Sequence, residues 1–196
     1  MTDELHLTFP LTALDALRDL RAGQKLRIDG HIIGIRDATQ IRMFDGGQKP
    51  QMDLRGAALI HTAPNVRKVG EGRYEKVCIG TTTSARMNRF THGLLDDYGV
   101  RAIIGKGGLL PDSLPVLAQF GGVYLAVTGG AAALETTQIE AIEEVEWEDL
   151  MPECLWKFRV GNFGPLIVAM DTRGRSLYEE VKEAAGARLQ ELVRRL

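Results

Sequence analysis

Cysteine is scarce in this chain: two, Cys78 and Cys154, among 196 residues. An iron–sulfur cluster or a structural zinc site needs about four clustered thiolate or imidazole ligands, so the chain cannot hold one by itself. Both cysteines lie in apolar, strand-like contexts and read as buried free thiols rather than a disulfide. Charge of one sign is equally lacking. Lysine and arginine number 24 against 26 acids, a formal net charge of -2, which excludes a general attraction for nucleic acid or an anionic membrane. Any anion binding must come from locally placed cations. No apolar run is long enough to span a bilayer. Residues 1–9 carry Asp3 and Glu4 and lack the basic start and apolar core of a signal peptide, so a cytoplasmic protein is expected. There is no internal repeat, low-complexity tract or evident linker. With 44% hydrophobic and 26% charged residues, the chain reads as one globular domain spanning 1–196.

The hydrophobic pattern is that of an α/β layered domain. Residues 10–22, with Leu11, Leu14, Leu17 and Leu20 before Gly23, predict a short amphipathic helix with a glycine stop. Residues 24–36 alternate around Asp29-Gly30, which marks a tight turn or bulge between two strand segments. Asp37 is expected to cap a helix to Phe44, ended by Asp45-Gly46-Gly47, with a polar loop over 48–56. Short strand-like runs follow at 57–60, 76–79, 100–104 and 123–127, separated by helical segments at 84–98, 113–120 and 131–142. Strands are expected at 144–148, 155–160 and 166–170. A closing helix, 176–196, carries an apolar stripe through Leu177, Val181, Ala184, Leu189 and Val193. It and the 10–22 helix are expected to pack on the domain.

Chemistry gathers where the strands end. Gly80-Thr81-Thr82-Thr83-Ser84-Ala85-Arg86-Met87 follows one strand and opens a helix, offering hydroxyls and backbone N–H groups to an anion. Arg86 adds a planar two-pronged donor suited to a carboxylate. The alternative is that Thr83 or Ser84 is simply a helix cap and Arg86 a surface residue. A second turn, Ile104-Gly105-Lys106-Gly107-Gly108, leaves an ammonium uncrowded between glycines. It is not a Walker loop, because no serine or threonine follows the lysine. A third turn, Thr128 to Ala133, is made of small residues that suit close packing. Arg36-Asp37-Ala38 is the fourth candidate. Ligand sites of α/β sheets collect at this edge, and Arg36, Arg86 and Lys106 together would suit a small dicarboxylate.

In this order, Gly-x-Thr-Thr-x-x-Arg-Met, Ile-Gly-Lys-Gly-Gly and Gly-Gly-Ala-Ala-Ala-Leu resemble the β subunit of class I fumarate hydratases and L-tartrate dehydratases, which is the C-terminal domain in longer members. Arg36-Asp37-Ala38, the strand around Trp156-Lys157-Phe158, and Val168-Ala169-Met170-Asp171 before Gly174 fit the same family. The resemblance implies a swivelling β/β/α domain. It also implies a partner α subunit whose three cysteines hold a four-iron–four-sulfur cluster, with an open iron that binds the substrate hydroxyl. Arg36, Arg86, Lys106 and Thr83 would bind substrate, Thr82 would abstract or relay the proton, and α–β pairs would assemble further. Thr81, Asn88 and Gln40 stand where many members have proline, aspartate and histidine, and His61-Thr62-Ala63-Pro64 replaces the usual strand exit. These departures bear on which substrate is used: fumarate/malate, tartrate/oxaloacetate or mesaconate/citramalate. A non-catalytic dicarboxylate-binding or regulatory module is the competing expectation.

Overall fold

Apolar β-branched runs bounded by turn residues become the strands that direct the site. The structure is a computed structural model and describes residues 4–128 and 130–195. In chain order the elements are β1 (Leu5–Phe9), β2 (Lys25–Ile35), α1 (Asp37–Phe44), β3 (Ala58–His61), β4 (Asn65–Gly70) and β5 (Arg73–Cys78). A 3-10 stretch (Ala85–Phe90) then runs into α2 (Thr91–Asp96), followed by β6 (Ala102–Gly105), α3 (Ser113–Phe120), β7 (Val123–Ala126) and α4 (Ala132–Gln138). The chain finishes with β8 (Ile139–Glu146), β9 (Leu155–Met170) and α5 (Leu177–Val193).

β1, β2, β3, β6 and β7 are parallel neighbours. β9 runs antiparallel to β7, β8 and β2. Because β2 pairs with both β3 and β9, strands β2, β3, β6, β7 and β9 close into a ring, with β1 and β8 on its flanks. The two-residue period of the strands divides the core. Ala58, Ile60, Ala102, Ile104, Val123 and Leu125 join Trp156 and Phe158 in one apolar cluster. The intervening Leu59, Ile103 and Tyr124 join a second cluster with Met43, Leu94, Leu95 and Leu117 from the helices. Strands buried on both faces explain why these runs are continuously apolar rather than alternating.

Several expectations change in detail. The 10–22 helix reduces to a 3-10 turn, Leu14–Leu17. Leucines three apart match the 3-10 period rather than the α period, and the Leu11 N–H is drawn to the Gly56 carbonyl at 2.8 Å. Leu17 and Leu20 are still buried. Asp29-Gly30 is no hairpin. β2 runs through it with a shifted register against β9, and Gly30 has φ +91° with the Phe9 carbonyl where a Cβ would lie. The segment at 76–79 belongs to β5 of a separate two-stranded hairpin, outside the ring. That placement leaves Cys78 exposed, contrary to expectation, while Cys154 is buried; both are free thiols.

The 131–142 helix stops at Gln138, where β8 begins and the β-branched Ile139, Ile142 and Val145 pair against β9. The two late strands are one long β9, bent where Asn162 and Gly164 have positive φ. Asp37 lies in the first turn of α1 without capping it; the cap position is Arg36. The closing helix forms, and its first turn lies on the domain while the rest stands exposed. Ser176 caps it and Tyr178 packs over Gly108, yet Val181 and Leu189 are 68% and 62% exposed. No described helix is long and apolar enough to cross a membrane.

Candidate functional site

Parallel strands deliver their C-terminal ends to one edge, and Arg36, Lys106 and the turn at Thr128 arrive there by that rule, while the Gly80 turn comes in from the separate β4–β5 hairpin. Arg36 leaves β2, His61 ends β3, and Lys106 leaves β6. The Gly80–Ser84 turn is stitched between the last two. Thr82 N–H donates to the His61 carbonyl at 2.8 Å, Ser84 N–H to the Lys106 carbonyl at 3.0 Å, and Lys106 N–H to the Thr82 carbonyl at 3.4 Å. Thr83 bridges Lys106 in parallel, and Thr62 bridges Thr81. The amides of Thr82 and Ser84 are therefore occupied, so these two N–H groups are not free as expected.

The arginine side chains converge on Asp37. Arg86 Nη2 donates to Asp37 Oδ2 at 3.0 Å and to Thr82 Oγ1 at 3.4 Å. Arg36 Nε donates to the same Asp37 oxygen at 3.3 Å and lies 3.4 Å from Glu153 Oε1. Burial works against the ionised Asp37, but the Arg86 hydrogen bond and the charges of Arg86 and Arg36 hold its carboxyl below the ordinary aspartate value. Asp37 raises Arg86 in turn. Arg36, Thr82 and Arg86 thus meet, and both arginines already hold carboxylates. Lys106 is joined to them through the Thr82–Ser84 backbone, and the Thr83 side chain lies exposed beside it. Arg86 is 48% exposed, so this cluster is an open ledge. A cleft of about 260 Å³ bounded by Pro10, His31, Arg55 and Lys157 shares no residue with it.

A buried polar layer lies directly underneath. His61 is 1% exposed. Its Nδ1 pairs with Ser84 Oγ at 2.9 Å, and the Tyr124 hydroxyl donates to the same oxygen at 2.9 Å. Burial pushes the imidazole down to about 4, against the upward pull of Asp37 and with a smaller push from Arg86, so it is neutral at pH 7. Ser84 is thereby a hub of this layer rather than a helix cap. A Cβ on Gly105 would strike the Ser84 oxygen, which is why glycine precedes Lys106. On the other side, α4 presses onto the turn: Ala132 fills the space over Gly80, and Thr136 Oγ1 accepts the Ile79 N–H at 2.8 Å. The small third turn is therefore a packing device.

From that helix comes Glu135, 3% exposed, whose Oε2 has no hydrogen-bond partner among the described residues. Burial lifts its carboxyl to about 7, while the Lys106 charge and the Thr81 N–H pull the other way. Sequence reasoning missed Glu135, because a glutamate after Ala-Ala-Ala-Leu resembles a solvated helix residue. It also missed the pairing roles of Asp37 and Glu153.

Two of the departures have local explanations. Gln40 Nε2 donates to the Arg36 carbonyl at 3.3 Å, bracing the turn that carries the arginine. Asn88 Nδ2 donates to Asp112 at 2.8 Å, while its Oδ1 accepts from Leu110 N–H and Ser113 Oγ. An aspartate at 88 would face Asp112 with like charge. Among the described residues no group of three or more His, Cys, Asp or Glu side chains could hold a metal ion. The edge can bind and orient an anion and present a polarised hydroxyl.

Comparison with known proteins covers nearly the whole chain. The fumarase C-terminus family matches residues 3–181. The L(+)-tartrate dehydratase subunit beta of Escherichia coli is 39% identical over 95% of this chain and 92% of its own length. A putative L(+)-tartrate dehydratase subunit beta of Methanocaldococcus jannaschii is 36% identical over 96% of this chain and 99% of its own. A putative class I fumarate hydratase of Geobacillus stearothermophilus is 34% identical over 95% of this chain but only 36% of its own length. The chain therefore belongs to the fumarase C-terminus family, as a beta subunit of the class I fumarase and tartrate dehydratase type of hydro-lyase.

Proposed function

We propose that this chain is the substrate-clamping subunit of a cytoplasmic hydro-lyase that reversibly dehydrates a small hydroxy-dicarboxylate. Tartrate is the first candidate, because the beta-subunit relatives carry that name; malate and citramalate are the others. The observation that carries the reading is the meeting of Arg36 and Arg86 on one carboxylate oxygen of Asp37, with Thr82 Oγ1 in reach of the same guanidinium. Two guanidiniums that already share one carboxylate are arranged to take another. Arginine has five donors in a fixed fork, so Arg86 can keep Asp37 and still accept a substrate carboxylate. Lys106 and Thr83, on the neighbouring strand end, would take the far carboxylate.

Thr82 is the proposed proton-abstracting or proton-relaying group. A free threonine hydroxyl is far too weak an acid for that work. A guanidinium donating to Oγ1 stabilises negative charge there and moves it in the right direction. The four-iron–four-sulfur cluster is assigned to the partner α subunit, since the two cysteines of this chain are too few to hold it. The domain would act as the swivelling β/β/α half that closes on the cluster-bearing half, and α–β pairs would associate further.

Titrating L-tartrate into isotopically labelled chain tests the clamp by nuclear magnetic resonance. Shifts are expected at Thr82, Thr83, Arg86 and Lys106, stronger for a dicarboxylate than for acetate. Equal responses to both ligands, or shifts scattered away from this edge, would refute it.

A further inference from the structure

Arg36 is held by a residue that belongs to none of the sequence motifs. Glu153 lies in the loop between β8 and β9, 115 residues from Ala38, and grips the start of α1 at three points. Its Oε2 accepts the Ala38 N–H at 2.8 Å, and its backbone carbonyl accepts the Thr39 hydroxyl. Its Oε1 lies 3.4 Å from Arg36 Nε. α1 has no side-chain cap at Arg36, so a carboxylate from a distant loop serves one of the amides that a helix start leaves open. The guanidinium is therefore gripped from one edge. Arg36 Nε faces Glu153 and donates to Asp37 Oδ2 at 3.3 Å, whereas neither of its Nη groups hydrogen-bonds to a described residue. A guanidinium is planar, so fixing the Nε edge fixes the direction of its fork.

We propose that Glu153 is a positioning residue for this site, fixing the Arg36 fork so that its two Nη groups meet one substrate carboxylate in a single orientation. The proposal rests on the clamp reading above. An arginine on a free stem loses rotamer freedom when a ligand binds, and one already fixed does not. The gain is largest for a ligand that must reach Lys106 at its other end, because both ends then have to fit at once. Acetate makes no such demand.

Glu153→Gln separates positioning from folding: the amide oxygen still accepts the Ala38 N–H and the Thr39 contact is untouched, but the charge beside Arg36 is gone. In the isolated wild-type chain the Arg36 Nε–H is expected as a resolved, exchange-protected resonance. In Glu153→Gln it should exchange about 10-fold faster, with the Ala38 amide signal and the melting temperature little changed. The affinity for L-tartrate relative to acetate, from titrations of the same chains, is expected to fall about 10-fold in the variant. Added positive charge at this end helps both ligands alike and cancels in that ratio, and loss of folded protein does not move it. Glu153→Asp keeps the charge but is one methylene short of reaching both Ala38 and Arg36, and should fall between the two. Unaltered Arg36 exchange in Glu153→Gln, or an unaltered ratio, would overturn the proposal. A wild-type chain that fails to prefer L-tartrate over acetate would instead refute the clamp, and the exchange measurement would still decide whether Glu153 holds the fork.

Discussion

Replacing Arg86 with alanine is expected to lower kcat/KM of the assembled enzyme by about 100-fold or more, with little change in thermal stability. Arg86 donates to Asp37 at 3.0 Å and to Thr82 at 3.4 Å from a half-exposed position. Charge-assisted hydrogen bonds contribute about 1.5–3 kcal/mol each. Losing one to the substrate and one to the Thr82 oxygen therefore reaches two decades. Asp37 keeps Arg36 as a partner, so no buried charge is left bare and folding is largely spared. Lysine at 86 restores the charge but not the planar fork, and should recover less than about tenfold of the loss. Steady-state kinetics beside a melting curve separate the two effects. Wild-type activity in Arg86→Ala would remove the arginine from the clamp.

The second large effect is in stability and comes from two buried groups with opposite signs. Glu135 keeps its proton to about pH 7 in the folded chain, whereas an unfolded glutamate has released it by about 4.5. The folded state thus holds the extra proton, and stability falls as pH rises from about 4.5 to 7. His61 stays neutral down to about 4, whereas an unfolded histidine takes up its proton near 6.5. There the unfolded state holds the extra proton, and stability rises over the window from about 4 to 6.5. Each slope amounts to about 3 kcal/mol, so the two nearly cancel in the wild type. Glu135→Gln is expected to expose the rising limb, its stability relative to wild type growing by about 3 kcal/mol between pH 4.5 and 7. Urea unfolding across that range measures it. A constant difference would mean that Glu135 ionises as an ordinary surface carboxylate.

Much of this site was legible in the chain because its parts lie on strand exits, and strand exits are marked by glycine and hydroxyl residues. The rule that parallel strands end together places Arg36 and Gly105 to Gly108 at one edge; Gly80 to Arg86 reaches it from the antiparallel β4–β5 hairpin, which that rule does not cover. The 113–120 helix and the strands at 123–127 and 100–104 were legible from apolar periodicity, which burial on both faces keeps strong. Periodicity could not reveal the closure of the ring, because β2 meets β9 across about 130 residues and no local pattern encodes that partner. The leucines at 11, 14, 17 and 20 misled for a related reason. Their three-residue spacing fits a 3-10 turn tethered to Gly56, while a helix wants spacings of both three and four. Gly30 looked like a turn because its need for φ > 0 is the same in a turn as in a strand pressed against Phe9.

The buried layer was the least legible part. Glu135 and His61 matter through what surrounds them, and burial of a polar residue is a property of the fold. In the sequence His61 stands out only by its place at a strand exit. Asp37 has the position of a helix cap, but in the fold it is the anion that gathers the two arginines. The aliphatic stripe of α5 was visible in the sequence, but stripe and docking are different things, and beyond Glu179 this helix stands in solvent.

The central claim is that this chain is half of an active site, and co-assembly tests it most directly. The purified chain, its α subunit and the mixture of the two are each assayed under anaerobic conditions for dehydration of L-tartrate. The account predicts no turnover from this chain alone and turnover from the mixture, abolished when Arg86→Ala replaces the wild-type chain. Turnover by the chain alone, or a cluster-loaded mixture that forms and still dehydrates no hydroxy-dicarboxylate, would contradict it.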